Sequence, residues 1–162
     1  MRYANALSTA EGLSTCYVIE GTNVSWPLGP SCEGYRLPTE SEWEYMARAA
    51  SSEARYGELD DIAWYASNSP FSTQPVGQKE PNVWGFFDML GNVWEWCWDG
   101  YDEYPDGPVE NPIGADEAIR RVFRGGSWAE DQSFLRVGNR NRADPEVSGN
   151  RIGFRVVRSD LP

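Results

Sequence analysis

Small and apolar residues recur at helical spacing in two stretches of the chain. In Tyr3 to Glu11 (Y-A-N-A-L-S-T-A-E) they repeat every three to four positions and stop at Gly12, which predicts the tail of a helix. The second stretch begins at Leu37-Pro38-Thr39-Glu40-Ser41-Glu42. Thr39 is an N-cap with Glu42 three residues on, the reciprocal capping box, and Glu40 and Glu42 favour the positive end of the helix dipole. That helix should run to about Ala50, with Trp43, Met46 and Ala47 turned inward.

Elsewhere the pattern is shorter. Tyr17 to Trp26, then Pro27 to Ser31, predicts a hairpin and its exit. From Ser51 to Gln78 the signals are mixed and punctuated by Gly57, Pro70, Pro75 and Gly77, which suits ordered loops anchored by Trp64, Tyr65 and Asn68. Val93 to Trp98 and Arg121 to Arg124 predict strands, separated by a Pro/Gly/Asp-rich excursion from Gly100 to Ala115. A last strand is expected at Gly153 to Arg158, with Phe154 and Val156 on one face against Arg155 and Val157 on the other. The sum is one loop-rich α+β domain over residues 1–162, without repeats or low-complexity tracts.

Charge narrows the partners. The net charge is −11, so nucleic-acid phosphates and acidic lipid are repelled rather than bound. The acidic surface either keeps a domain with eight Trp and eight Tyr in solution or serves a cation or basic partner. No apolar run is long enough to cross a bilayer, so no membrane insertion is expected, and Met1 to Asn5 lacks the apolar region of a signal peptide. Cys16 and Cys32 flank the hairpin, as a disulfide or as two free thiols; a disulfide would imply an extracellular or periplasmic setting. Cys97, between Trp96 and Trp98, is expected to be packed and inert. No histidine occurs, which excludes Ser-His-Asp and Cys-His nucleophiles and an H-E-x-x-H zinc site.

Three ordered motifs carry more. They are Y-R-L-P-T-E-S-E-W-E-Y (Tyr35 to Tyr45), W-G-F-F-D-M-L-G-N-V-W-E-W (Trp84 to Trp96) and R-V-F-R-G-G-S-W (Arg121 to Trp128), the last followed by G-F-R at Gly153 to Arg155. In this order the chain resembles the formylglycine-generating enzyme family, the sulfatase-modifying-factor domain. The resemblance implies a C-type-lectin-like fold. Family domains carry further strands before the first helix, so this chain is expected to be a minimal form, or to have a leading segment that another chain supplies or that was cut away. The family oxidises a substrate cysteine with two copper-binding cysteines shortly after G-G-S-[WY]. Laid on Gly125 to Trp128, those positions hold Glu130 and Leu135. Soft Cu(I) wants sulfur ligands and leucine offers none, so copper is not expected. The absence of histidine likewise excludes the histidine-ligated iron site of the ergothioneine-synthesis relatives.

Three places are candidate sites. In Asp88 to Glu95, the carboxylates of Asp88 and Glu95 and the carbonyls of Gly91 and Val93 make an oxygen set that suits Ca²⁺. The resemblance implies a structural calcium site at these positions. The alternative is that Asp88 caps a turn, Asn92 is left-handed and Glu95 pairs with an arginine. Asp60, Asp61 and Asn68 are possible ligands of a second ion, but that loop departs from the family pattern and no site is assigned there. Next come the arginines from Arg120 to Arg158, either an anion-binding patch or an internal set in which Arg124, Arg136 and Arg155 hold loops by pairing with carboxylates and carbonyls.

The third is Ala129 to Asn150, where Glu130, Asp131, Gln132, Phe134, Asn139, Asn141, Asp144 and Glu146 have the composition of an adaptable binding face. The expectation is a non-catalytic, calcium-stabilised lectin-like domain that binds a protein, peptide or glycan through this face. The alternatives are a variable ligand-binding protein of a diversity-generating retroelement, which shares this fold, and a formylglycine-generating oxidase.

Overall fold

The computed structural model describes residues 1–115 and 118–159. Three helices are present among them: α1 (Arg2–Ala10), α2 (Glu40–Arg48) and the single turn α3 (Leu59–Ile62). The strands are short: β1 (Val18–Glu20), β2 (Asn23–Ser25), β3 (Tyr35–Arg36), β4 (Ala63–Trp64), β5 (Leu90–Gly91), β6 (Trp94–Gly100), β7 (Arg121–Arg124), β8 (Arg140–Ala143), β9 (Ile152–Gly153) and β10 (Val157–Arg158). The loop-rich α+β expectation holds, and the described residues form two compact units.

Among the described residues the first unit comprises 1–38 and 155–159. Here β1 and β2 form the expected antiparallel hairpin, with Ile19 opposite Val24, and β3 pairs antiparallel with β10. Cys16 and Cys32 are joined in a disulfide around the hairpin, with Cα atoms 5.6 Å apart. Beside it the Tyr17 hydroxyl oxygen accepts from the Leu37 N–H at 2.8 Å, and Arg36 stacks on Trp26.

The second unit, Thr39–Phe154, holds the four-stranded sheet in the order β8-β7-β6-β9, antiparallel except for β6 with β9. Helix α2 starts as its sequence dictates. The Thr39 hydroxyl accepts from Glu42 N at 3.2 Å, and the Glu42 carboxylate accepts from Thr39 N at 2.8 Å. The helix ends at Arg48, two residues short of the expected Ala50, because Ala49 and Ala50 turn left-handed, at φ 45° and 69°. Trp43 and Ala47 are wholly buried, while Met46 is half-buried at the edge of the same core with Met89, Cys97, Val122 and Val137. A second apolar cluster gathers Leu59, Ile62, Ala63, Tyr65, Leu90 and Leu135.

Strand β6 explains why W-E-W-C-W-D is buried on both sides. Trp94 and Trp96 meet the Phe123 ring edge-on at 5.1 and 5.2 Å. The alternate positions are Glu95, Cys97 and Asp99, and α2 donates hydrogen bonds to the two acids. Trp43 Nε1 donates to Glu95 Oε2 at 2.7 Å, and Glu40 N donates to Asp99 Oδ2 at 2.7 Å.

One strand is corrected. Gly153 to Arg158 is not continuous, because Ile152–Gly153 pairs parallel with β6 whereas Val157–Arg158 pairs with β3, and residues 154–156 join neither ladder. The two-faced alternation expected there therefore has no sheet to act on.

Candidate functional site

The Asp88 to Glu95 segment is a tight knot of backbone. Asp88, Gly91 and Asn92 all take positive φ, at 54°, 78° and 58°. Only glycine fits at Gly91, since a Cβ there would lie 2.2 Å from the Trp64 carbonyl oxygen. Asn92 clamps three loops. Its side chain accepts from Gln74 N and donates to Gln74 O, its N–H donates to Trp64 O, and its carbonyl accepts from Trp128 N.

Asp88 and Glu95 are both buried, at 9% and 7% exposure. Asp88 Oδ2 accepts from Gly77 N at 2.7 Å, and Glu95 Oε2 accepts from the Trp43 indole. Among the described residues no group of three or more Asp, Glu, Cys or His side chains is arranged to hold a metal. An ion here would draw its remaining ligands from backbone oxygens, Gly91 and Val93 foremost. Carboxylate and backbone oxygens are the ligand types that a hard, oxygen-loving cation takes. The Asp60 region differs, because the Asp60 carboxylate accepts from the Tyr65 hydroxyl and Asn68 Nδ2 while Lys79 donates to the Asp60 carbonyl and stacks on Trp64.

The positions that match the family's cysteines are occupied by packing and hydrogen bonding. Leu135 is wholly buried in the second core cluster. Gly126, at φ 84°, leaves room for it, since a Cβ on Gly126 would come 2.5 Å from Leu135 Cδ2. Glu130 is half-buried, and its Oε1 accepts from Trp94 Nε1 at 3.1 Å and from the Ser127 hydroxyl at 3.4 Å. Its backbone carbonyl accepts from Ala66 N. Glu130 thus stands apart from the rest of the proposed face as a fixed residue.

The remaining face residues are spread over an exposed surface. Asp131, Gln132, Phe134, Asn141, Asp144 and Glu146 are exposed and Asn139 is half-buried. Asp131 caps the 3₁₀ turn at Gln132–Phe134, and the Ser133 N–H holds its carboxyl below the ordinary range. Asn139 donates to Phe134 O, Asn141 accepts from Arg142 N, and Asp144 pairs with Arg120 at 3.5 Å.

The arginines are largely engaged by other groups of the chain, although five of the nine are exposed. Arg124, with 0% exposure, donates to Glu40, to Glu44 at 2.5 Å and to the Val137 carbonyl at 2.7 Å. Arg136 donates to the Ser133 carbonyl, Arg142 stacks on Tyr101 and Arg151 on Trp128. Arg140 grips Glu40 with two donors at 2.9 and 2.6 Å and lies against the rings of Tyr101 and Tyr104. Sequence reasoning missed Glu40 as the common acceptor of Arg124 and Arg140. Its signal was position, since Glu40, Trp43, Glu44 and Ala47 lie at i, i+3, i+4 and i+7 on one helix face.

No thiol in the described residues is poised for chemistry. Cys16 and Cys32 are bonded to each other, and Cys97 is buried, with burial and then the Asp99 charge pushing its thiol well above the usual range.

Residues 1–160 match the sulfatase-modifying factor enzyme 1-like domain family, and the chain belongs to it. Its fold is the formylglycine-generating-enzyme-like, C-type-lectin-like one. The solved structure of Treponema denticola variable protein 1 superposes with a TM-score of 0.87 at 34% identity, covering 95% of this chain and 66% of that one. The chaperone protein LppX of Paenibacillus barcinonensis is 30% identical over 194 residues, which span 98% of this chain and 66% of LppX. The formylglycine-generating enzyme of Streptomyces coelicolor is 35% identical over 146 residues, 76% of this chain and 46% of the enzyme. The chain therefore spans about two thirds of the first two proteins and under half of the third. Among the described residues, no helix is long and apolar enough to cross a membrane.

Proposed function

We propose that this protein is a non-catalytic, calcium-stabilised binding domain that presents its ligand surface from residues 129–150. The observation that carries the reading is the fate of the two positions that match the family's copper-binding cysteines. Leu135 is a core residue and Glu130 is locked to Trp94, so neither offers the sulfur that Cu(I) requires. Around them Gln132 and Phe134 stand exposed on a rigid framework, the arrangement by which loops carry recognition. The ligand class is a protein, peptide or glycan. The Cys16–Cys32 disulfide favours an extracellular or periplasmic setting.

Incubated with copper, oxygen and a cysteine-containing peptide, the protein should yield no aldehyde product above the protein-free control. Copper-dependent peptide oxidation would overturn the reading. The double variant Gln132→Ala/Phe134→Ala should keep the wild-type melt to within about 0.5 kcal/mol, as surface substitutions do. It should lose the signals that the wild type gives on peptide and glycan arrays; retained signals would remove the face.

Calcium is tested separately. An ion present at a hundred times its Kd adds about 2.7 kcal/mol to the folded state, roughly 5–10 °C for a domain of this size. Asp88→Ala should abolish that gain. Equal melting of the wild type in calcium and in chelator would refute the site.

A second reading, a variable ligand-binding protein of a diversity-generating retroelement, is favoured by the likeness to the Treponema denticola variable protein. It shares the same face and differs in expecting sequence change there. Close homologues from one population that are identical at residues 129–150 would remove it.

A further inference from the structure

A cleft of about 720 Å³ opens between α2 and the excursion that follows β6. Its volume is that of a small-molecule site. One wall is the stripe of Ser41, Glu44, Tyr45 and Arg48 on α2, and the other is apolar, with Val109, Pro112 and Ile113. Asp99 and Glu40 also line it, at only 3% and 5% exposure. Carboxylates outnumber cations along the lining, because Glu40, Glu44, Asp99, Asp102 and Glu103 face only Arg48 and Arg140.

The two buried acids differ in one respect. Glu40 has its cations, Arg124 and Arg140, and also accepts from the Tyr104 hydroxyl. Asp99 accepts a backbone N–H from Glu40, but among the described residues no Lys or Arg stands within ion-pair distance of it. A buried carboxylate that lines a cavity and lacks a cation is a place for one to bind. Of the 129–150 segment only Gly138 and Arg140 line it, and none of Glu130, Asp131, Gln132, Phe134, Asn139, Asn141 or Asp144 does. Trp94, which holds Glu130, lies about five residues up β6 from Asp99, roughly 17 Å of strand.

We infer that the cleft binds a small organic cation, an ammonium on an apolar body, with the ammonium at Asp99 and the body against Val109, Pro112 and Ile113. The titration of Asp99 supplies an independent signature. Burial, with the Glu40 charge and against the Glu40 N–H, raises its carboxyl from 3.8 to about 7. The charged or titratable groups around it are Glu40 and Glu42 from α2 and Cys97 from its own strand. A ligand that stays cationic should therefore bind more tightly as pH rises through 7, and its binding should draw Asp99 toward the ionised form.

The test uses phenethylamine, charged throughout the range, beside its neutral isostere 2-phenylethanol, each titrated into ¹⁵N-labelled protein. Phenethylamine should shift the amides of Glu40, Gly100 and Gly114 and bind at least tenfold more tightly than the alcohol at pH 8. Its affinity should fall about fivefold between pH 8 and pH 6, and Asp99→Asn should remove that dependence. Ile113→Trp, which fills the cleft from its exposed wall, should abolish binding while leaving the rest of the spectrum unchanged. Equal binding of amine and alcohol, shifts confined to other surfaces, a pH-independent affinity or no saturable shift at 10 mM amine would each overturn the assignment.

Discussion

Replacing Arg124 with methionine should destabilise the protein by about 3–5 kcal/mol, the range for removing one partner of a buried ion pair. The guanidinium has 0% exposure and joins three elements: it holds Glu40 and Glu44 of α2 and the Val137 carbonyl ahead of β8, from its place on β7. Methionine fills much of the volume but leaves Glu44 with only Arg48, an i, i+4 pair at 2.7 Å, and leaves the Val137 carbonyl without its donor. Glu40 keeps Arg140 and Tyr104, so Glu44 is the acid left short of a cation, and the double variant Arg124→Met/Glu44→Gln should recover part of the loss. The deficit should also depend on pH. Burial alone would raise Glu44, but Arg124 and Arg48 override it and hold the carboxyl below its ordinary 4.5. That contribution is present above pH 4.5 and is lost as pH falls through the depressed value, so the variant should differ most from wild type at neutral pH. Urea unfolding at pH 7 and pH 4 measures both effects. A loss below about 1 kcal/mol at pH 7 would show that the arginine is not the junction of α2 and the sheet.

The parts legible in the sequence were those with local causes. The Thr39 capping box and the stop after α2 are written within a dozen residues, and the hairpin between Cys16 and Cys32 is bounded by its own turn. The disulfide was one of two open alternatives, because spacing brings two thiols near without saying whether they bond. The family motifs carried the fold class. What escaped was set by partners distant in sequence. Glu40 looks like an ordinary first-turn acid until β7 and β8 bring arginines from more than eighty positions away. Glu130 has the composition of a surface contact, yet Trp94 turns it inward. The last strand failed for the same reason, since alternation cannot say that its two ends pair with different strands.

Asp99→Asn should make the protein more stable than wild type at pH 8 and equal to it near pH 3. A carboxyl raised from 3.8 to about 7 favours its neutral form in the folded state. Its contribution to stability is fully present below 3.8, declines as pH rises and is gone above about 7. At about 1.4 kcal/mol per pKa unit the whole span corresponds to roughly 4 kcal/mol. Asparagine keeps the acceptor for the Glu40 N–H and never ionises. The difference between variant and wild type should therefore grow from pH 4 to pH 7 and then level, and the other carboxylates cancel from it because both proteins carry them. A difference that stays flat across that interval would place the Asp99 carboxyl in its ordinary range and remove the pH signature expected of the cleft. A difference that grows, and that shrinks again when phenethylamine is added at pH 8, would follow from a cation stabilising the charge that burial otherwise penalises.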